Sequence, residues 1–190
     1  MKKGVVLIAG LLTSGMLHAN GWTGNVNIFT GNKSLDSDWG EFDSQGEIGI
    51  MSDFGHTNWP ALIVVDTYVS AKDDNTDAKK NDDYRVDAVT TEFMIGLRRY
   101  FDYRYGISSY VGGGLTIGYA HQEVKQADGT YKKEDDQGYG PWVGTGIKWR
   151  PWKHFNLGFD VRYSHFEAEL FEKDLSSGGV HAGINAGFHW

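Results

Sequence analysis

The chain has 190 residues, of which 40% are hydrophobic and 14% aromatic, and it contains no cysteine, which excludes a disulfide framework, a thiolate metal site and a cysteine nucleophile. Its 25 acidic residues outnumber 18 basic ones, which disfavours a general nucleic-acid-binding role, because phosphate binding needs a basic surface. The mean hydropathy of −0.44 excludes a polytopic helical membrane protein, whereas the alternating strands of a membrane β-barrel keep such a polar average.

The beginning of the chain has the pattern of a secretory signal peptide. Two lysines are followed by an apolar run from Val5 to Leu12 and then by small and polar residues up to Ala19. We therefore predict that residues 1–19 are removed after export, with cleavage near Ala19, and that residues 20–190 form one domain. Export restricts the mature chain to the periplasm, the outer membrane or the exterior of the cell.

The mature chain shows a period of two residues in place of a helical period. In the last segment, apolar residues at the even positions alternate with polar or small residues at the odd positions, which is typical of a strand with two different faces. Its length matches the roughly 9–11 residues of a tilted membrane-spanning strand. The same pattern predicts eight strands, at 22–30, 44–54, 61–71, 89–99, 110–121, 139–150, 155–166 and 180–190.

The connections between these predicted strands alternate in length. The long connections span 32–43, 72–86, 122–137 and 167–178, and the short ones span 55–59, 100–106 and 151–154. An even number of strands with long connections on one side and short turns on the other is typical of bacterial outer-membrane barrels. The long connections hold 18 acidic and 9 basic residues, and therefore all of the excess negative charge of the mature chain.

The polar face of the predicted strands is rich in glycine and carries charges of both signs. A soluble eight-stranded barrel of the lipocalin type has an apolar interior, and a membrane barrel has the reverse arrangement. Because the lumen of an eight-stranded barrel is only just wide enough for side chains, small glycines and opposite charges would fill it with a paired network. We predict that this lumen network consists of Glu47, Asp66, Glu92, Arg98, Lys148, Arg150, Asp160 and Arg162.

Aromatic residues gather at the strand ends on the side of the short turns. Amphipathic rings favour the interface between lipid and water, whereas a soluble barrel with so many aromatic residues around one rim would tend to aggregate. The pattern therefore favours a membrane barrel over a soluble exported barrel. We predict an interfacial aromatic girdle that includes Trp22, Trp59, Trp149, Trp152, Phe188 and Trp190.

Two segments resemble strands of the small OmpA/OmpX-type outer-membrane barrels. Residues 110–115, Tyr-Val-Gly-Gly-Gly-Leu, resemble a middle strand of that superfamily, and residues 158–166 resemble its penultimate strand. The chain also ends in an aromatic residue, Trp190, where phenylalanine is more usual in that family. The resemblance implies an all-β, eight-stranded antiparallel up-and-down transmembrane β-barrel in the outer membrane of a Gram-negative bacterium.

The resemblance also implies which partners the chain meets. The barrel-assembly machinery reads the last strand and its terminal aromatic residue, and outer-membrane lipid and lipopolysaccharide surround the inserted barrel. We expect a monomer, and we expect neither a cofactor nor a nucleic-acid partner.

The fold alone leaves the activity open, because this family hosts anchors, adhesins, narrow channels and lipid-modifying enzymes. Our leading hypothesis is a non-enzymatic barrel with a structural or surface-interaction role in the cell envelope. One alternative is a small, porin-like passive channel for hydrophobic or small solutes that resembles the OmpW-type barrels. A soluble ligand-binding barrel is a further alternative.

The residues around His165 form the most enzyme-like group and raise the alternative of a lipid A-modifying hydrolase. Their position resembles the site of the PagL-type lipid A deacylases, but that family has a serine two residues after the histidine, where this chain has Glu167. Ser164 and His165 are adjacent in a strand, so their side chains point to opposite faces and do not readily share a proton. His181 and His189 share one face of the last strand, where internal hydrogen bonding is the expected role and a metal site is not expected.

The acidic connections at 72–86 and 122–137 raise the question of cation binding. They contain pairs and triplets of carboxylates, but we find no fixed register of ligands such as a calcium-binding loop requires. Solvated loops are the expected reading, and loose bridging by divalent cations to neighbouring lipopolysaccharide is the alternative. Lys79, Lys80, Lys132 and Lys133 lie between these carboxylates and would contact phosphates.

Overall fold

A computed structural model describes residues 21–35, 43–72, 88–125, 131–170 and 173–190. The predicted signal peptide lies outside these residues. The strands of the described part are β1 (Trp22–Ser34), β2 (Ser44–His56), β3 (Leu62–Lys72), β4 (Ala88–Asp102), β5 (Ile107–Lys125), β6 (Tyr131–Trp152), β7 (Phe155–Ser164), β8 (Glu167–Leu170), β9 (Lys173–Ser176) and β10 (Gly179–His189). A single 3-10 turn at Arg104–Gly106 joins β4 to β5. No helix in these ranges is long and apolar enough to cross a membrane.

Most of these strands close into one antiparallel barrel. The order around the barrel is β1-β10-β7-β6-β5-β4-β3-β2, so each barrel strand pairs with the barrel strands before and after it along the chain, and the last strand closes onto the first. The predicted eight-stranded antiparallel up-and-down fold is therefore confirmed. Closure pairs the backbone groups of every strand on both sides and leaves no free sheet edge.

Several strands extend further towards the long connections than the alternation predicted, whereas β7 ends at Ser164, two residues before its predicted end. β5 reaches Lys125 and β6 begins at Tyr131, so most of the connection predicted at 122–137 is a continued hairpin ladder. β8 and β9 form a separate two-stranded sheet within the connection predicted at 167–178. The prediction of loops was wrong there. In the extension of β5 and β6 most residues are polar at odd and even positions alike, and β8 and β9 are only four residues long each. Backbone pairing continues where the hydropathy signal has already ended.

Side chains alternate between an exposed outward face and a buried face that points into the barrel. On the outward face, Leu115 and Ile184 expose 64% and 61% of their surface. On the inward face, Asp66 and Lys148 are fully buried. The barrel is thus apolar outside and ionic inside, which is the reverse of a soluble barrel.

The two ends of the barrel differ. At one end, which we call the turn end, short connections join β2 to β3, β4 to β5 and β6 to β7. Gly21 and Trp190 also lie there, where the Thr57 amide donates to the Gly21 carbonyl and the Trp190 amide to the Gly24 carbonyl. We call the opposite end, with the longer connections, the loop end.

Inward glycines give aromatic rings room to lie across the lumen. A Cβ atom at Gly49 would collide with the ring of Tyr68, and one at Gly118 would collide with the ring of Phe166. Both rings are fully buried, and the sequence analysis did not anticipate an apolar layer on this polar face. The apolar layer around Tyr68 also contains Phe29, Met51, Val64, Met94 and Trp142.

Replacement of Gly49 by alanine tests this packing. We expect the Gly49→Ala variant to lose about 1–3 kcal/mol in the free energy of unfolding, because the added methyl group has no room beside Tyr68. The matched control is Gly46→Ala in the same strand, where the nearest atom to an added Cβ is the Ala71 carbonyl oxygen at 3.8 Å. Urea unfolding in lipid vesicles measures both variants. Equal stability of the two variants would contradict the proposed packing.

Candidate functional site

Asp53 on β2 is the centre of a charge cluster in the part of the lumen nearest the turn end. Its carboxylate accepts hydrogen bonds from Arg98 Nη1 at 2.9 Å, Tyr100 Oη at 2.7 Å and Asn25 Nδ2 at 2.6 Å. Lys148 Nζ lies 3.8 Å from the same carboxylate and comes from β6, the strand directly opposite β2. Asp53 therefore connects strands on both sides of the lumen.

Arg98 extends this cluster to a second carboxylate. Its Nη2 lies 2.9 Å from Asp66 Oδ2, and the Tyr68 hydroxyl donates to the same oxygen at 3.1 Å. The guanidinium also packs on the Tyr110 ring, 4.9 Å from the ring centroid. A planar guanidinium with its forked donors suits this bridge between two carboxylates.

Arg162 occupies the middle of the lumen. Its Nη1 lies 2.7 Å from Asp160 Oδ1, and its Nη2 lies 2.6 Å from Glu47 Oε2 on β2. The guanidinium carbon lies 3.3 Å from the ring centroid of Tyr68, which belongs to the opposite strand β3. The Tyr110 hydroxyl donates to the other Asp160 oxygen at 2.6 Å. Arg162 therefore joins the charged clusters to the apolar layer.

A third cluster lies towards the loop end. Lys33 Nζ on β1 lies 2.7 Å from Glu92 Oε1. His181 Nδ1 lies 2.7 Å from Glu47 Oε1, and its Nε2 lies 3.3 Å from Glu92 Oε1. Because β10 and β4 are opposite strands, the contact between His181 and Glu92 spans the full width of the barrel.

Lys33 also holds the connection between β7 and β10 over the lumen. Its Nζ donates to the Ser177 carbonyl oxygen at 2.7 Å and lies 5.3 Å from the ring centroid of Phe166. The amides of Ser177 and Gly178 both donate to the Phe166 carbonyl oxygen. This segment covers the charged cluster from the loop end.

Ser164, His181 and Glu47 meet in an order that resembles a catalytic triad. Ser164 Oγ lies 3.0 Å from His181 Nε2, and the other ring nitrogen faces Glu47. However, Nε2 also lies 3.3 Å from Glu92 Oε1, so the ring is shared between Ser164 and two carboxylates and is not reserved for the serine. Ser164 is also fully buried. The geometry therefore favours internal hydrogen bonding over nucleophilic catalysis.

The structure brings most of the predicted lumen residues together. Arg150 stands apart, since its nearest carboxylate oxygen belongs to Asp102 at 3.8 Å and its side chain is 23% exposed. It occupies the last inward position of β6, beyond Lys148 and at the mouth of the barrel. The predicted residues that meet in the clusters are Glu47, Asp66, Glu92, Arg98, Lys148, Asp160 and Arg162.

Sequence reasoning missed Lys33 and Asp53. Lys33 was assigned to a long connection because polar residues surround it, although β1 continues to Ser34. The alternation of the strand would have identified Lys33, since the odd-numbered positions of β1 from Asn25 onwards point into the barrel. Asp53 likewise shares its parity with Glu47 on β2.

The aromatic residues predicted for the girdle all lie at the turn end. The rings of Trp22 and Trp59 are 5.6 Å apart, and Phe188 stacks on His154 at 5.6 Å. The Trp190 ring covers the outward side of Gly24. The remaining two members, Trp149 and Trp152, are exposed on the same rim.

His165, the enzyme-like candidate of the sequence, is separated from Ser164 by the alternation of the strand. Ser164 points into the lumen, whereas His165 is 45% exposed and lies 3.8 Å from Glu167. Within the described ranges, no group of three or more histidine, aspartate or glutamate side chains is arranged to hold a metal ion.

Comparisons of the sequence with protein-family models and with curated proteins give no match. Solved structures, however, share the fold. Neisserial surface protein A is 14% identical with a TM-score of 0.52, and 89% of this chain covers 96% of that protein. The attachment invasion locus protein Ail of Yersinia pestis is 11% identical with a TM-score of 0.57, and 89% of this chain covers 99% of it.

A third solved structure extends the same likeness. The outer membrane protein OprG of Pseudomonas aeruginosa is 12% identical with a TM-score of 0.51, and 89% of this chain covers 94% of it. These neighbours are small eight-stranded outer-membrane β-barrels. At such low identity the likeness concerns the fold, so the class defined here is a small barrel of the outer-membrane type.

Removal of the central guanidinium tests the lumen network. We expect Arg162→Gln to lower the free energy of unfolding by about 3–5 kcal/mol, because Glu47 and Asp160 would lose their shared cation while buried. The control Arg104→Gln removes an exposed guanidinium at the turn end and should change stability by less than about 0.5 kcal/mol. Urea unfolding followed by tryptophan fluorescence measures both. Near-identical stabilities would argue against the network.

Proposed function

We propose that the chain is an integral, non-enzymatic β-barrel of the bacterial outer membrane with a structural or surface-interaction role in the envelope. The reversed polarity of the barrel carries this proposal, since ion pairs fill the inside and large apolar side chains cover the outside. An apolar surface that surrounds the whole barrel favours hydrocarbon over water. The fold shared with Neisserial surface protein A, Ail and OprG supports the same assignment.

The proposed orientation follows from the two ends. Outer-membrane barrels have short periplasmic turns and longer extracellular loops, so the turn end faces the periplasm and the loop end faces outward. The aromatic girdle at the turn end then lies at the periplasmic interface, where amphipathic rings are favoured.

A pair of single-cysteine variants tests whether the outward face meets lipid. The native chain has no cysteine, so a spin label attached to Ile184→Cys or Lys153→Cys reports from one site only. In vesicles, we expect the label at Ile184 to collide more with oxygen than with a water-soluble nickel complex, because its outward side chain faces hydrocarbon. The label at Lys153, exposed in a short turn, should show the reverse. Preference for nickel at both sites would support a soluble barrel.

The filled lumen supports a role other than conduction. The apolar layer, Arg162 and the contact between His181 and Glu92 all reach across the barrel between opposite strands. A passing ion would have to lose its hydration and separate buried ion pairs, which is costly in a low-dielectric interior. This arrangement favours a closed barrel over the channel alternative.

Planar-bilayer recordings distinguish the two functions. We expect the purified full chain to give no discrete conductance openings, because Arg162 and its contacts with Glu47 and Tyr68 fill the middle of the lumen. A porin of about 16 strands, inserted in the same way, serves as the positive control because its lumen holds water. Reproducible unitary openings of this chain would reject the closed barrel and favour a passive channel.

The charge of the long connections bears on the surface partner. Ail has been solved in complex with a heparin analogue, sucrose octasulfate. The ranges predicted as long connections hold 18 acidic and 9 basic residues, and one of the basic residues, Lys33, lies inside the barrel. This charge disfavours a comparable polyanion and supports contacts with lipopolysaccharide that divalent cations bridge. Lipopolysaccharide and the barrel-assembly machinery remain the partners that we propose.

A further inference from the structure

The lumen opens at the turn end into a cavity of about 360 Å³, which we call the turn-end vestibule. This volume lies within the range of small-molecule sites, which are concave and combine apolar walls with a few polar groups. The vestibule borders the Asp53 cluster, since Asn25, Arg98 and Tyr100 belong to both. The lining residues that matter here are Trp59, Leu62, Tyr100, Asp102, Arg150 and His189.

The vestibule is closed at its inner side. Arg98 and Tyr100 form its floor, and both donate hydrogen bonds to Asp53 at 2.9 Å and 2.7 Å. These side chains are held in place by the cluster below them. Arg98 and Tyr100 therefore block further passage into the lumen for a molecule that enters from the turn end.

Arg150 is the lining guanidinium that lacks a close carboxylate among the described residues. Its nearest carboxylate, on Asp102, is 3.8 Å away, whereas Arg98 has two at 2.9 Å. Its Nε is buried without a hydrogen-bond partner in the described part of the chain, as are those of Arg98 and Arg162, so the loose pairing of its outer nitrogens is what distinguishes Arg150. Asp102 is 72% exposed and already accepts a hydrogen bond from Ser108 at 2.8 Å. Arg150 thus keeps donors for another acceptor.

The turn between β2 and β3 supplies an apolar wall to the same cavity. Trp59, Pro60 and Leu62 line it, and Trp59 is held by its edge-to-face contact with Trp22. On the polar side, the Arg150 guanidinium lies 5.7 Å from the centroid of the Tyr100 ring. The cavity therefore combines a cation with an aromatic surface.

We propose that the turn-end vestibule binds small carboxylates that carry an apolar body. The forked donors of Arg150 pair with the carboxylate, and the apolar body packs against Trp59 and Leu62. In the orientation given above, such a ligand enters from the periplasm. The site goes beyond the proposed envelope role and does not depend on whether the barrel conducts.

Titration with phenylacetate tests the site directly. The full chain, folded in detergent micelles, is followed by the NMR signal of the Trp59 indole N–H. We expect a saturable shift with phenylacetate and an affinity lower by about tenfold for the uncharged phenylacetamide, because the amide loses the charge-assisted hydrogen bonds. Equal affinity for both probes would mean partition into the micelle and would overturn the proposal.

Three variants identify the anchor. We expect Arg150→Gln to weaken phenylacetate binding by about tenfold and Asp102→Asn to strengthen it, because Asp102 competes for the same guanidinium. Arg104→Gln is the matched control, since Arg104 is exposed at the same end and does not line the vestibule. Circular dichroism confirms folding of each variant.

The outcomes that overturn the proposal are distinct. Unchanged affinity in Arg150→Gln, or equal weakening in Arg104→Gln, would show that Arg150 is not the anchor. Should Arg150→Gln fail to fold, Asp102→Asn decides alone, and weaker or unchanged binding in that variant would overturn the proposal.

Discussion

The structure depends on the pairing of buried charges inside a narrow barrel. An ion taken out of water is strongly destabilising unless opposite charges and hydrogen bonds compensate it. Here the compensation comes from across the lumen, since Asp53 faces Lys148 and Glu92 faces His181 on the opposite strands. The glycines of the inward face leave room for these long side chains and for the rings that separate the charged layers. The lumen is therefore a packed polar core.

The apolar exterior follows from the alternation of side chains along each strand. A strand that points Arg162 inward points Val161 and Tyr163 outward, so each charged lumen position is flanked by positions that meet the surroundings. Closure pairs each barrel strand on both sides, which a hydrocarbon environment requires because it offers the backbone no alternative partner. At the turn-end mouth, Arg150 stands beyond the clusters, and its ion pair with the exposed Asp102 is loose at 3.8 Å.

The sequence was informative wherever alternation and hydropathy coincide. It predicted the eight barrel strands and the inward direction of Glu47 and Arg162. The same two-residue alternation identifies a strand and shows which of its side chains share a face. It could not show that these two residues pair, since they are 115 positions apart and meet only through the strand order of the closed barrel. It also missed the extended ladder of β5 and β6, because backbone pairing there continues without an apolar face.

The contacts of the first and last strands have a consequence for assembly. Glu92 pairs with Lys33 on β1 and also contacts His181 on β10, and both strands belong to the seam where the sheet closes. In an open sheet Glu92 would lack its contact with Lys33 or with His181, so an intermediate with an incomplete circumference carries an electrostatic penalty. Pairing of β1 with β10 is thereby cooperative with ordering of the lumen side chains. A chain truncated before β10 should therefore gain little stability from the strands that it retains.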